Sequence, residues 1–576
     1  MKTLRGVAAS PGIAFGSAAL FLPCDLSVPA GSGEGPERET ARLDQAIASA
    51  IAELAELNGK VKSDAGAELA HIFRSQQTIV EDDSLRSEMV ALIAAGGCSA
   101  ERAAEEVFAK YAQMFEDLGE QDYNRERLAD LKDVQRRLMR KLLCVEETDL
   151  SRLEPSTVVV APELLPSDTA MMDRGNVCGL ITEKGGITSH TAILAKSLGV
   201  PAAVSVVGAV DLIAAHDELV LDASDASEAV VYVQPDRATK DRLVARKKLH
   251  EERSCTLATE RKKEPVTPDG HRMILSANIG APDDLARAEE FGVTSVGLFR
   301  TEFLFMKSAR LPTEEEQYAA YCDARDRLCG GMLVIRTLDV GGDKGVPSIP
   351  LPAEANPFLG YRALRVSLDN GEMFKTQLRA ALRASAGGDV RIMFPMVCGV
   401  EDWSRARSFL AEACEELSRR GESFSKSISV GIMVEIPSAV LMAEELAGDA
   451  DFMSIGTNDL TQYLLAADRT NEQVSRYYRP YHPAVFRAIK GIVEAAHRHG
   501  KWVGVCGELA GMMPAIPALL GMGVDELSMS PQSLPEARHL VLGTTFAQAQ
   551  ELAGEVLGMR DVESIEGLLR RNIAKE

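Results

Sequence analysis

Between Glu37 and about Glu146 the apolar positions recur every three or four residues. Leu43, Ile47, Ile51, Leu54 and Leu57 form one stripe; Val107, Tyr111, Met114, Phe115 and Leu118 form another. That spacing predicts amphipathic helices, and Gly96-Gly97 predicts a turn between two of them. No strand-like alternation interrupts the pattern, so residues 25–147 are expected to form a helical bundle. Acidic residues crowd its polar faces, which leaves either a solvated surface or a docking face for another protein.

At Thr157–Ala161 the pattern changes. Short apolar runs at Val177–Ile181, Ala202–Val204, Glu218–Asp222 and Ala229–Val233 alternate with helical signals, as in an α/β unit. Residues 3–22 predict two more strands around Ser10-Pro11-Gly12 that pair with this set. The bundle is therefore expected to be inserted into one α/β domain, residues 1–24 and 148–233. Asp236–Lys263 mixes both signs of charge and meets no turn signal before Pro265 and Pro268. It predicts an exposed linker helix within 234–264, roughly 40 Å long at ~1.5 Å per residue, able to let two domains swivel.

From Met273 onward strands and helices alternate. Eight strands are expected at Met273–Asn278, Ser295–Phe299, Leu333–Arg336, Val390–Phe394, Val430–Val434, Phe452–Ile455, Trp502–Val505 and Asp525–Met529. Residues 265–576 thus read as a (β/α)8 TIM-type barrel, and the whole as a multidomain α/β chain.

Composition narrows the partners. A net charge of -22 argues against nucleic acid, permits a basic protein partner, and requires a locally positive pocket for any anionic substrate. The ten cysteines contain no CxxC pair, which fits free thiols in a reducing cytoplasm. Pro11 and Gly12 break the apolar N-terminus, so export is not expected. No apolar run is long enough to predict a membrane span.

Candidate chemistry falls in two places. Gly185-Gly186-Ile187-Thr188-Ser189-His190-Thr191-Ala192 lies between a predicted strand and a predicted helix. Glycines admit a bulky group there, helix-start amides favour an anion, and His190 is set to carry a phosphoryl group on a ring nitrogen. A helix start capped by Ser189 or Thr188 beside a half-buried histidine is the alternative. The second place is the set of strand C-terminal ends, where active sites of this fold sit. Arg300 and Arg336, with Arg362 and Arg469, suit a bound anion, although surface ion pairing suits any one of them. Glu435 and Asp459 are hard oxygen ligands suited to Mg²⁺, with a structural loop aspartate as the alternative for Asp459. Asn458 is a candidate to hydrogen-bond the substrate. Cys506 is either a buried structural thiol or a proton donor to a carbanion.

Several stretches carry a resemblance. Gly185-Gly186 with Thr188-Ser189-His190-Thr191 resembles the phosphohistidine motif of phosphoenolpyruvate-utilising enzymes. So do Gly297–Met306, Asp339–Lys344, Asn356–Gly360 and Ser454–Tyr463. With Ala9-Ser10-Pro11-Gly12-Ile13-Ala14 and the order of parts, the chain resembles the phosphoenolpyruvate–protein phosphotransferases, the Enzyme I family of the bacterial sugar phosphotransferase system. The resemblance implies that His190 is phosphorylated on Nε2 by phosphoenolpyruvate and that Thr169 orients its imidazole. It implies that Arg300, Arg336, Arg362, Arg469, Asn458 and Asp459 hold the substrate and that Glu435 and Asp459 bind Mg²⁺. It further implies that Cys506 would protonate the enolate to give pyruvate. The helical subdomain would dock the small carrier HPr, which receives the phosphoryl group, and the barrel would form a homodimer. Ile187 stands where sugar-pathway members carry arginine. The related synthases and dikinases need an ATP-binding region, and no Gly-rich ATP loop is visible here.

Overall fold

The computed structural model describes the chain apart from residues 23–25, 27, 29–32, 34, 65–66, 97, 118–121, 146–149, 151–152, 165–167, 169–171, 173–174, 187–188, 190, 193–194, 196–198, 226–227, 307–309, 343–344, 347, 350, 353 and 574–576. It divides into two compact units, Met1–Arg253 and Ser254–Glu576.

In the first unit the strands are β1 (Lys2–Ser10), β2 (Ile13–Leu20), β3 (Thr157–Ala161), β4 (Val177–Thr182), β5 (Ala202–Val204), β6 (Glu218–Asp222) and β7 (Ala229–Val233). Every residue of β3 and of β5 is buried, so neither face of the sheet centre can be left to water. The sheet closes on itself in the order β1-β5-β4-β3-β2-β6-β7. β2 through β5 run parallel; β1 pairs antiparallel with β5 and β7, and β6 antiparallel with β2 and β7. The two opening strands thus join the α/β set as expected, but not each other.

Five helices follow β2 in chain order: α1 (Pro36–Asp64), α2 (Ala67–Val80), α3 (Asp83–Gly96), α4 (Ala100–Asp117) and α5 (Asp122–Leu143). They share an apolar core that includes Leu43, Leu54, Phe73, Ile93, Phe108 and Leu138. Four residues of the α1 stripe lie as expected, with Ile47 and Ile51 packed beside Leu43 and Leu54; the Leu57 side chain lies outside the described residues. On α4 the expected stripe is met in part: Val107 is buried and Tyr111 packs against the core, but Met114 is 53% exposed. The buried face extends instead to Ala103, Ala104 and Phe108; the Phe115 side chain and Leu118 lie outside the described residues. α6 (Arg237–Glu260) starts at Asp236, whose Oδ1 accepts from the Thr239 amide at 2.8 Å. Only Thr239 and Leu243 of it are buried, as its mixed charge demands.

In the second unit β8 (Ile274–Ile279), β9 (Val296–Arg300), β10 (Leu333–Arg336), β11 (Val390–Phe394), β12 (Val430–Val434), β13 (Phe452–Ile455), β14 (Trp502–Val505) and β15 (Glu526–Met529) form a closed barrel. All neighbouring strands run parallel. Five strands have the expected bounds and three shift by one residue. Leu298, Val334, Met433 and Phe452 share a cluster with Cys506, while a larger layer that includes Val296, Phe299, Ile335 and Ile392 packs against the helices. A fully buried side chain of this kind contributes about 1.5–3 kcal/mol, so these layers carry the fold and leave the strand ends free for chemistry. Because the strands are parallel, their C-terminal ends share one rim. Arg300 ends β9 and Arg336 ends β10. Glu435 follows β12, Asn458 and Asp459 open α7 (Thr457–Leu465) after β13, and Cys506 follows β14.

Candidate active site

A cavity of about 290 Å³ lies on this rim, lined by Arg300, Arg336, Glu435, Asn458, Asp459, Arg469 and Cys506 among others. These are the rim residues singled out from the sequence, except Arg362, which is fully buried. Arg362 Nη1 bonds Asp459 Oδ1 at 3.2 Å, and Nη2 bonds the Asp339 carboxylate at 3.1 and 3.3 Å. Asp339 Oδ2 also lies 3.1 Å from Arg336 Nη1, and Arg336 Nη2 bonds Glu302. Arg469 Nη1 is 3.9 Å from Asp459 Oδ2. Charges therefore alternate along one line: Glu302, Arg336, Asp339, Arg362, Asp459, Arg469. Burial opposes the charge on Arg336 and Arg362, but the carboxylates around each outweigh it and raise both pKa values.

Arg300 stands outside this line. Among the described residues it makes no hydrogen bond or ion pair. Burial, and then the like charge of Arg336, lower its pKa. A guanidinium still stays protonated, so the cavity holds a positive charge with no protein anion bound to it.

Glu435 is its acidic counterpart. Oε1 accepts from the Met396 amide at 2.6 Å, and Met396 adopts φ 54 to present it. Oε2 is buried and has no hydrogen-bond partner among the described residues. Burial, then Asp459 and Asp339, push this carboxyl up to about 8. Gly456 leaves room for this placement, because a Cβ there would sit 2.7 Å from Oε2 and press the carboxylate aside. An orphaned carboxylate oxygen next to a second hard oxygen donor, Asp459, fits a divalent cation. Among the described residues no group of three or more His, Cys, Asp or Glu could hold a metal, so such an ion needs oxygens from a ligand or water to fill its shell.

Cys506 is 2% exposed, and its Sγ donates to the Ile455 carbonyl at 3.7 Å. Burial pushes the thiol up to about 12, so it keeps its proton at neutral pH. Asn278 Nδ2 donates to the Cys506 carbonyl at 3.0 Å and holds that strand end. Asn458 Oδ1 accepts from the Glu508 amide at 2.8 Å, and its Nδ2 donates to Glu508 Oε1 at 3.3 Å.

In the first unit the chain turns after β4. Gly185 takes φ +104, a region that favours glycine, and its carbonyl accepts from Ser205 Oγ at 2.7 Å. Ser189 Oγ accepts from the Ala192 amide at 3.4 Å, a cap at the start of the next helical turn. His190, Ile187 and Thr188 lie outside the described residues, as does Thr169.

Comparisons with known proteins agree along the length of the chain. Residues 255–546 match the family model described as "PEP-utilising enzyme, PEP-binding domain". Residues 5–127 match "PEP-utilising enzyme, N-terminal", and residues 153–226 match "PEP-utilising enzyme, mobile domain". The chain is 41% identical over 571 residues to a phosphoenolpyruvate-protein phosphotransferase of Bacillus subtilis (strain 168), covering 98% of each chain. The chain belongs to the phosphoenolpyruvate–protein phosphotransferase family. Other members are that of Enterococcus faecalis (strain ATCC 700802 / V583), 42% identical over 558 residues and 96% of each chain, and that of Listeria innocua serovar 6a (strain ATCC BAA-680 / CLIP 11262), 40% identical over 577 residues and 100% of each chain. No described helix is long and apolar enough to cross a membrane.

Within this phosphotransferase chain, two contributors to the site escape a reading by residue type. Asp339 joins Arg336 to Arg362; it opens the Asp339–Lys344 stretch that carries the resemblance, but its residue type does not reveal the pairing. Glu302, which stands out with Arg300 at the end of the second barrel strand, turns to Arg336. The Met396 amide leaves no signal, because a backbone donor has no side-chain identity.

Proposed function

We propose that the chain transfers the phosphoryl group of phosphoenolpyruvate to its own His190 and then to a histidine of an HPr-type carrier, releasing pyruvate, as the first step of sugar uptake by the phosphotransferase system. One observation carries this reading: a single cavity contains an arginine without a bound anion and a buried carboxylate oxygen without a bound donor. A small, doubly negative ligand that brings a cation with it satisfies both at once.

In this reading Arg300, Arg336 and Arg469, with Asn458, hold the substrate's carboxylate and phosphate, and Arg362 supports that wall through Asp339 and Asp459. Glu435 and Asp459 would hold Mg²⁺, which when bound neutralises charge on the substrate oxygens. The lone pair on His190 Nε2, with the ring set by Thr169, attacks phosphorus. The bond between phosphorus and the enol oxygen breaks, and its electrons leave on the enolate. Cys506 gives its S–H proton to the enolate carbon, forming pyruvate, and the thiolate regains a proton from water. Phosphoryl transfer needs charge neutralisation and in-line placement above all; the alternating line balances its own charges, and Arg300, with no protein anion among the described residues, supplies positive charge for the substrate.

The remaining assignments follow the family. The helices of residues 25–147, inserted into the α/β domain of residues 1–24 and 148–233, dock the carrier, and the barrel of residues 265–576 forms a homodimer in the cytoplasm. The test is ³²P-labelled phosphoenolpyruvate with Mg²⁺, which is expected to give an acid-labile, base-stable phosphoprotein able to pass its label to purified carrier. Labelling from ATP in its place would mark a dikinase and overturn the reading.

A further inference from the structure

We infer that Phe358 is a positioning residue for phosphoenolpyruvate: its ring steadies the Arg469 guanidinium at the substrate cavity against that of the buried Arg362, which backs the wall. This rests on the proposed role of the rim cavity.

Arg362 Cζ lies 5.6 Å and Arg469 Cζ 5.8 Å from the centroid of the one Phe358 ring. Both arginines also face Asp459, at 3.2 and 3.9 Å. Two like charges so close repel, and one carboxylate between them does not fix their angle. An aromatic face attracts both cations through its quadrupole without adding a charge that would repel the substrate. Leucine or methionine fills similar space but supplies no such field.

The ring is itself held. The Phe358 carbonyl accepts from Tyr463 Oη, and Tyr463 Oη lies 3.3 Å from Arg362 Nη1. The next two carbonyls, Leu359 and Gly360, accept from Arg365 Nη1 at 3.1 and 2.8 Å. Phe358 also lines a second cavity of about 310 Å³ with Tyr463, Leu359 and Ala467. Phe358 itself does not line the arginine cavity; it acts on that cavity through Arg469, which does. Without the ring, the Arg469 guanidinium loses the aromatic face it rests on.

The experiment compares Phe358→Leu, Phe358→Met and Phe358→Tyr in the full chain with Mg²⁺, reading KM for phosphoenolpyruvate, kcat for carrier phosphorylation, and thermal melting. Phe358→Leu and Phe358→Met are expected to raise KM about five- to thirty-fold with kcat within about threefold, and Phe358→Tyr, which keeps the ring, to restore the wild-type KM. A packing role predicts the reverse order, with the volume-conserving variants near wild type. A KM within twofold of wild type in a folded Phe358→Leu or Phe358→Met chain would overturn the inference. Arg469→Ala is the control on the underlying reading: if it too leaves KM unchanged, the substrate assignment of the cavity has failed, and not merely the role of the ring.

Discussion

The turn at Gly185–Thr191 and the rim of the eight-stranded barrel are built on opposite plans. The turn keeps its candidate chemistry within seven consecutive residues, of which Gly185 and Ser189 bond to Ser205 and Ala192. The rim gathers its groups from the ends of five strands between Arg300 and Cys506, and ties them together through ion pairs that share partners. A local site loses function one residue at a time. A shared network spreads damage, because Asp339 and Asp459 each serve two arginines.

Substitutions can break or sharpen this contrast. His190→Ala is expected to abolish labelling from phosphoenolpyruvate outright while leaving substrate binding at the rim intact; label that survives would dismiss His190 as the acceptor. Cys506→Ala is expected to slow pyruvate formation by about 10²–10⁴ with phosphoenolpyruvate affinity unchanged, and an unaltered turnover would remove the proton-donor role. Asp339→Ala leaves two buried guanidiniums short of a shared anion. It is expected to cost about 3–5 kcal/mol in urea denaturation, and a cost under 1 kcal/mol would refute the network.

Below the rim, Glu526 extends the same contrast into the barrel interior. It is fully buried, neither of its carboxylate oxygens has a hydrogen-bond partner among the described residues, and burial pushes it up to about 7 from 4.5. Between those values the unfolded chain has shed a proton that the folded chain keeps. Stability therefore falls as pH rises from about 4.5 to 7, by roughly 3 kcal/mol in all, and then levels off. Glu526→Gln is expected to flatten that fall and to be the more stable chain at pH 8; two parallel stability-versus-pH curves would contradict it. The smallest effect belongs to the turn. Ser205→Ala removes one hydrogen bond and is expected to cost about 1 kcal/mol in the first unit's unfolding.

Most of the barrel was legible in the sequence because strands buried on both faces leave continuous apolar runs, and because parallel strands put their last residues on one side. Arg300, Glu435, Asp459 and Cys506 could be picked out as polar residues just past such runs. What could not be read was pairing. Nothing in Arg362 distinguishes a guanidinium facing a ligand from one sealed behind Asp339 and Asp459. The Met396 amide is invisible to residue type, and on α4 Ala103 and Ala104 extend the buried side beyond the predicted stripe. The closure of the first seven strands was likewise hidden, since β1 and β2 look like neighbours and are not.

That last arrangement governs how the molecule can be born. The first strand finds its places only beside residues 202–204 and 229–233, and the second beside 157–160 and 218–222. Helices α1–α5, with short-range contacts, can settle as soon as they leave the ribosome, whereas the opening twenty residues must wait for some two hundred more. The amino terminus is thus the last piece of its unit to be stitched in, while more than half of the chain is still to be made, and a bulky fusion placed there would burden that closure.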